Sequence, residues 1–188
     1  MIRAVVHETL GLPNAAIRLE RTDTGKPFLA SHGAPRLAFN VSHAGDWVLL
    51  GATQDSEAIG VDVMQVALPG RMTDVAAFLK DFGDYFTPRE WTCIGTSLRN
   101  FMTHWTLKEA YVKYLGAGIG FGLLRCHFEC EPADEIRLLV DDAPETSIRF
   151  SRFTLGDDHV GAVAVAHDAP PLPPVTVRQP ADVIQVLL

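Results

Sequence analysis

The chain has 188 residues, enough for one domain or two small subdomains with a real hydrophobic core. Hydrophobic residues make up 47% and the net charge is −7, which excludes a disordered chain and argues against a nucleic-acid binder, whose surface is normally basic. Apolar runs such as Trp47 to Thr53 are far too short to span a bilayer and no secretory leader is recognisable, so a cytoplasmic location without membrane contact is expected.

Ile2, Val5, Val6 and Leu10 recur at helical spacing, and Gly11 with Pro13 ends this first helix. It starts at residue 1 with no N-cap, which suggests a chain that begins inside a fold. Ile17 to Arg21 alternates like a strand and leads into a turn at Asp23-Thr24-Gly25-Lys26-Pro27. Strands are predicted over 37–42, 47–53 and 59–64, and their short linkers suit an antiparallel meander. Pro69 and Gly70 mark a boundary, and Thr73 to Phe82 reads as a helix closed by Gly83. Thr87-Pro88-Arg89-Glu90 is a helix start, with Thr as N-cap, Pro in first position and Glu at the box position. That helix runs toward Ile94, and a longer one spans 98–115 before Gly116.

Segments 123–128, 136–140, 147–155 and 159–166 read as strands of a second sheet. From Asp168 onward, Pro170, Pro171, Pro173 and Pro174 predict an extended surface tail. The order of helix, strands, helices and strands gives an α+β fold and could reflect two similar halves. The expected division is an N-terminal subdomain over 1–66, a C-terminal one over 67–168 and a tail over 169–188. The three cysteines, Cys93, Cys126 and Cys130, are odd in number, which argues against a disulfide framework. Cys126 and Cys130 flank His127 without a second pair at zinc spacing, so they read as free thiols.

Charge falls where periodicity expects hydrocarbon. In 98–115 the stripe Leu98, Phe101, Met102, Trp105, Val112 and Leu115 should continue through Lys108 and Glu109, with Glu109 near its centre. A buried carboxylate needs a cation or a solvated cleft. Lys113, one turn on, could supply that as a solvated i, i+4 pair. Asp62 lies in the β-branched strand Ile59-Gly60-Val61-Asp62-Val63-Met64, where it is disfavoured unless it sits at an exposed edge. Two carboxylates from separate elements are what Mg²⁺ usually takes from a protein, with water and substrate phosphates completing its shell. Ser42 and His43 end the strand Phe39-Asn40-Val41-Ser42-His43, where they could bind a phosphate or cap the turn before Gly45. Arg18, Arg21 and Lys26 around the Gly25 turn form a basic patch that suits a phosphate or is merely solvated. The glycines of 116–122 follow a helix and precede a strand, the reverse of a dinucleotide loop, so they read as a cap and a turn.

Taken in order, Arg21-Thr22-Asp23-Thr24-Gly25-Lys26-Pro27, Phe39 to His43, Ile59 to Met64, Phe86-Thr87-Pro88-Arg89-Glu90-Trp91 and Trp105-Thr106-Leu107-Lys108-Glu109-Ala110-Tyr111-Val112-Lys113 resemble the Sfp-type 4′-phosphopantetheinyl transferases. Met64 and the 116–122 loop look most like the aminoadipate-semialdehyde dehydrogenase phosphopantetheinyl transferase branch. The resemblance covers roughly residues 1–166. It implies two pseudo-symmetric α/β subdomains with coenzyme A, as substrate, in the cleft between them.

The resemblance also implies residue roles. Asp62 and Glu109 would hold Mg²⁺, and Asp62, Glu109 and Lys113 would carry the catalysis, with Glu109 also as the base. Arg21, Lys26, Ser42 and His43 would contact the nucleotide end, and Lys108 and Lys113 would neutralise phosphate oxygens. The partner would be an acyl or peptidyl carrier protein, and a monomer is expected. Two departures stand out. Many relatives carry an acid where this chain has Met64, whose thioether is a poor Mg²⁺ ligand. Relatives also usually begin some tens of residues before the position matching Met1, so the N-terminal subdomain is expected to be incomplete. A non-catalytic module that binds carrier protein or coenzyme A, and a Mg²⁺-dependent phosphohydrolase using the same carboxylates, are the competing readings.

Overall fold

The computed structural model describes residues 1–129 and 136–179. It is an α+β fold of α1 (Ile2–Leu10), β1 (Leu19–Arg21), β2 (Pro27–Leu29), β3 (Ala38–Ala44), β4 (Trp47–Thr53), β5 (Ile59–Gln65), α2 (Val75–Lys80), α3 (Pro88–Ile94), α4 (Leu98–Leu115), β6 (Cys126–Phe128), β7 (Leu138–Val140), β8 (Ala143–Glu145), β9 (Ile148–Leu155) and β10 (His159–Ala166). The helices start and stop where their caps dictate. Ser97 accepts from the Asn100 N–H at the head of α4, and Gly116 closes it in the left-handed conformation at φ 68°. Thr87 and Glu90 form the expected capping box at α3.

The meander expectation holds for one hairpin only. β3 and β4 pair antiparallel about the Gly45-Asp46 turn, but β5 leaves them and pairs antiparallel with β10, Asp62 standing opposite Ala162. The later strands do not form one sheet either. β9 joins β10 and β5, in the order β5-β10-β9, while β6, β7 and β8 form a separate sheet. The sheet β5-β10-β9 thus spans the expected division at residue 66.

α4 lies across this central sheet, burying Leu107, Ala110 and Tyr111 against Phe150, Ala162 and Ala164. On the opposite face Val61 and Val63 pack with Leu49 and Leu155. A second core gathers Phe78, Phe86 and Phe101 from α2, the loop before α3, and α4, with ring centroids about 5 Å apart in tilted and edge-to-face arrangements. α1 packs through Val6 on Ile17 and Phe39 in a further small core.

Residues 170–179 have no regular secondary structure, and Ala169 just before them is buried beside Val165 and Leu49. Arg149 holds this segment through the carbonyls of Ala169 (2.9 Å) and Pro170 (2.8 Å), and Arg178 grips Glu8 of α1 with 2.6 and 2.7 Å hydrogen bonds. No helix among the described residues is long and apolar enough to cross a membrane. Cys126 is a buried free thiol in β6, as expected. Cys93 corrects the reading of the cysteines, for it is disulfide-bonded. The reading of Cys130 falls outside the described residues.

Candidate active site

The site forms where α4 crosses β5, and a glycine permits the crossing. A Cβ on Gly60 would stand 1.9 Å from the Ala110 carbonyl oxygen and 2.5 Å from the Tyr114 nitrogen, so the helix backbone rests directly on the strand. Asp62 is two residues on and shares the Gly60 face, which turns its carboxylate toward α4. β3 seals the side. Asn40 Oδ1 accepts from the Val61 N–H at 2.9 Å, and Ser42 Oγ donates to Asp62 Oδ1 at 2.7 Å. Lys113 reaches in from α4 and donates to the same Oδ1 at 2.6 Å and to Ser42 Oγ at 3.1 Å.

Asp62 is therefore not at an exposed edge; only 4% of its surface is accessible. Its other oxygen, Oδ2, is buried and has no hydrogen-bond partner. Burial pushes the Asp62 carboxyl above its ordinary value, and the charge and hydrogen bond of Lys113, the Ser42 hydroxyl and a loose approach of the Val63 N–H only partly pull it back. Glu109 is half-buried one turn before Lys113. Burial raises its carboxyl too, and the negative charge of Asp62 raises it further, against a smaller opposing pull from Lys113. Lys113 pairs with Asp62, so the solvated Glu109–Lys113 pair is not what forms.

Two partly desolvated carboxylates thus repel one another beside an ammonium bonded to Asp62 alone, and Asp62 Oδ2 accepts no hydrogen bond of good geometry. That donor set fits a hard divalent cation bound through oxygen. No cluster of three or more His, Cys, Asp or Glu side chains that could hold a metal ion exists among the described residues. Met64, on the same face, packs against the aromatic cluster of Phe78 and Phe101. Two surface hollows, about 270 Å³ beneath Pro170–Pro173 and about 150 Å³ beside Lys26 and Arg36, contain neither carboxylate.

The structure brings Asp62, Glu109, Ser42 and Lys113 together and places the remaining expected residues elsewhere. Lys108 is the clearest correction, being fully buried on another side of α4. Its ammonium donates to the carbonyls of Tyr85 (3.0 Å), Leu123 (2.8 Å) and Cys126 (2.7 Å) and pairs with Glu90 at 2.9 Å. No donor is left to meet a phosphate. Lys26 is corrected likewise, because its ammonium turns inward onto the carbonyls of Ile59 (3.2 Å), Tyr114 (3.3 Å) and Lys113, capping the end of α4. Burial lowers its pKa.

Arg21 is exposed and donates to the Gly25 carbonyl at 2.7 Å across the turn. His43 is exposed, one residue past Ser42 and therefore on the other face of β3, so it does not join Asp62. Two contributors escaped the sequence reading as site parts: Gly60 and Asn40. The signal for each was present, a glycine and an amide within strands.

Comparison with known proteins adds an independent line. Residues 1–55 match the model of the 4′-phosphopantetheinyl transferase N-terminal region, and residues 58–164 match that of the 4′-phosphopantetheinyl transferase superfamily. A phosphopantetheinyl transferase from a Thraustochytrium species is 39% identical over 180 residues, covering 90% of this chain and 62% of that protein. The L-aminoadipate-semialdehyde dehydrogenase-phosphopantetheinyl transferase of Homo sapiens is 36% identical over 182 residues, covering 88% of this chain and 58% of that one. The chain thus spans about six-tenths of the length of these relatives. A solved acyl carrier protein synthase from Mycobacterium tuberculosis aligns at 20% identity and a TM-score of 0.39, over 60% of this chain and 96% of that one.

Proposed function

Because the chain belongs to the 4′-phosphopantetheinyl transferase superfamily, we propose that it moves the phosphopantetheine arm of coenzyme A onto a serine of an acyl or peptidyl carrier protein, in a Mg²⁺-dependent reaction. The observation that carries this reading is the buried, unpartnered Oδ2 of Asp62 facing a helix that presents Glu109. Asp62 Oδ2 and the Glu109 carboxylate would hold the Mg²⁺. When bound, the ion would neutralise pyrophosphate oxygens and so stabilise the charge that develops during transfer.

The chain's own groups do the rest. The carrier serine oxygen attacks the phosphorus that bears the pantetheine arm, and the bond to the bridging oxygen breaks. That oxygen keeps the electron pair and leaves on 3′,5′-ADP. Glu109 takes the serine proton, directly or through a water, because among the described residues no other carboxylate faces Asp62 from α4. Lys113, already aimed into the cleft, supplies a fixed positive charge for a phosphate oxygen. Ser42 holds Asp62 Oδ1 so that Oδ2 stays directed at the cation.

The test incubates an apo-carrier protein with the chain, coenzyme A and Mg²⁺ and follows the carrier by mass spectrometry for the added arm. Mg²⁺ alone should also raise the thermal midpoint of the wild type, by about 2.7 kcal/mol of stability at a hundred times its Kd. It should leave Asp62→Asn unmoved. No mass gain by the carrier defeats the transfer reading; an equal Mg²⁺ response in Asp62→Asn defeats the metal assignment.

A further inference from the structure

Four segments meet on one ion pair at the side of α4 away from the cleft. Lys108 and Glu90 are both wholly inaccessible, with Nζ 2.9 Å from Oε2. Lys108 is held by carbonyls from the turn before α3 (Tyr85) and from the segment that enters β6 (Leu123, Cys126), with its ammonium 4.9 Å from the centre of the Phe86 ring. Glu90 is spoken for as well. Oε2 accepts from Thr87 N at 2.9 Å and Thr87 Oγ1 at 3.2 Å, and Oε1 accepts from Phe128 N at 3.1 Å. Every contact is directional, and both side chains are wholly buried. Lys108 is also the residue immediately before Glu109, about 100° around the helix.

We propose that the Lys108–Glu90 pair is a positioning device that fixes the rotation of α4 and thereby the place of Glu109 in the cleft, an inference that rests on the transfer reading above. On the sheet side, Gly60 lets α4 settle on β5 and Leu107, Ala110 and Tyr111 pack against Phe150, Ala162 and Ala164, contacts that are apolar and non-directional. The ion pair adds the directional hold on the other side of the helix. A roll of about 10° moves a group ~6 Å from the helix axis by about 1 Å. A displacement of that size costs on the order of 10²-fold in a positioned reaction. Stability alone does not account for the pair, because buried ion pairs replaced by well-packed apolar side chains are often neutral or stabilising. Apolar replacements would fill the space and lose the angular constraint.

The full chain carrying Glu90→Leu together with Lys108→Met tests this. The thermal midpoint should stay within a few degrees of wild type, while kcat for carrier modification falls about 10- to 100-fold. KM for coenzyme A should change less than about threefold, and the Mg²⁺ Kd, measured by calorimetry without carrier, should rise about tenfold or more. A double variant with wild-type kcat and Mg²⁺ Kd overturns the proposal. If it does not fold, Glu90→Gln decides, since it keeps the shape and removes the charge. A weakened Mg²⁺ Kd there supports the proposal and an unchanged one overturns it. A wild-type chain that binds Mg²⁺ but modifies no carrier defeats the transfer reading alone, and the Mg²⁺ Kd of the variants still judges the positioning.

Discussion

Gly60→Ala adds one methyl group at the tightest point of the molecule. The new Cβ would lie 1.9 Å from the Ala110 oxygen and 2.5 Å from the Tyr114 nitrogen, both backbone atoms that no rotamer change can move. Restoring an ordinary contact of about 3.4 Å from 1.9 Å asks α4 to lift by roughly 1.5 Å. Overpacking typically costs about 1–3 kcal/mol, and a backbone-against-backbone clash belongs at or above the top of that range. At ~2–4 °C per kcal/mol for a chain of this length, the midpoint should fall by about 6–12 °C. The same lift carries Glu109 and Lys113 away from Asp62, whose Oδ1 is only 2.6 Å from Lys113 Nζ. Transfer should therefore drop on the order of 10²-fold even well below the new midpoint. Differential scanning calorimetry and carrier mass spectrometry read the two effects separately. A variant within 2 °C and about twofold of wild type would refute the argument that this contact seats the helix.

Three further outcomes follow from the same geometry. Glu109 titrates above its ordinary value because of burial and then Asp62, so its stabilising contribution is complete below the ordinary carboxylate range and is lost as pH rises through the raised value. Without Mg²⁺, urea midpoints of Glu109→Gln should therefore gain on wild type as pH rises above the ordinary carboxylate range and level off once the raised value is passed, and a pH-independent difference would contradict the cause given. Asp62→Asn and Glu109→Gln should each abolish transfer with the circular-dichroism spectrum unchanged; near-normal transfer by either removes it from the site. Lys26→Met strips the donor from three carbonyls and should cost about 1–3 kcal/mol, so an unchanged urea midpoint would show that the inward ammonium holds nothing.

Much of this architecture was legible because local chemistry fixes local structure. The bounds of α4 follow from Ser97 and Gly116, and α3 from the box of Thr87 and Glu90. β4 and β10 have the lengths their apolar runs suggest. β2 and β8, three residues each, are too short to show a period. Pairing was the larger miss, since alternation tells which residues share a face and nothing about which strand lies alongside. Asp62 stood out as an acid within a β-branched strand, and that anomaly led to the site. Lys108 and Glu109 looked equivalent in sequence. Their fates diverge because Glu90, far off in the chain, waits on one side of α4 and Asp62 on the other. Lys26 deceived for a related reason, for a basic residue in a glycine turn suggests an anion, and nothing local reveals the helix end that takes it instead.

The pairing of β5 with β10 bears on how the protein comes into being. Asp62 and Ala162 face each other across residues a hundred positions apart. During synthesis, at roughly 5–20 residues per second, β5 leaves the ribosome several seconds before its partner strand exists. Through that interval its apolar run has no neighbour on that edge, and its acid has no helix to answer it. Lys113 and Glu109 emerge in the meantime, yet the sheet on which α4 must lie is still unfinished. The cleft is therefore assembled late and all at once, when the last long hairpin docks. A nascent chain halted before residue 159 should bind no Mg²⁺, however much of α4 it already displays.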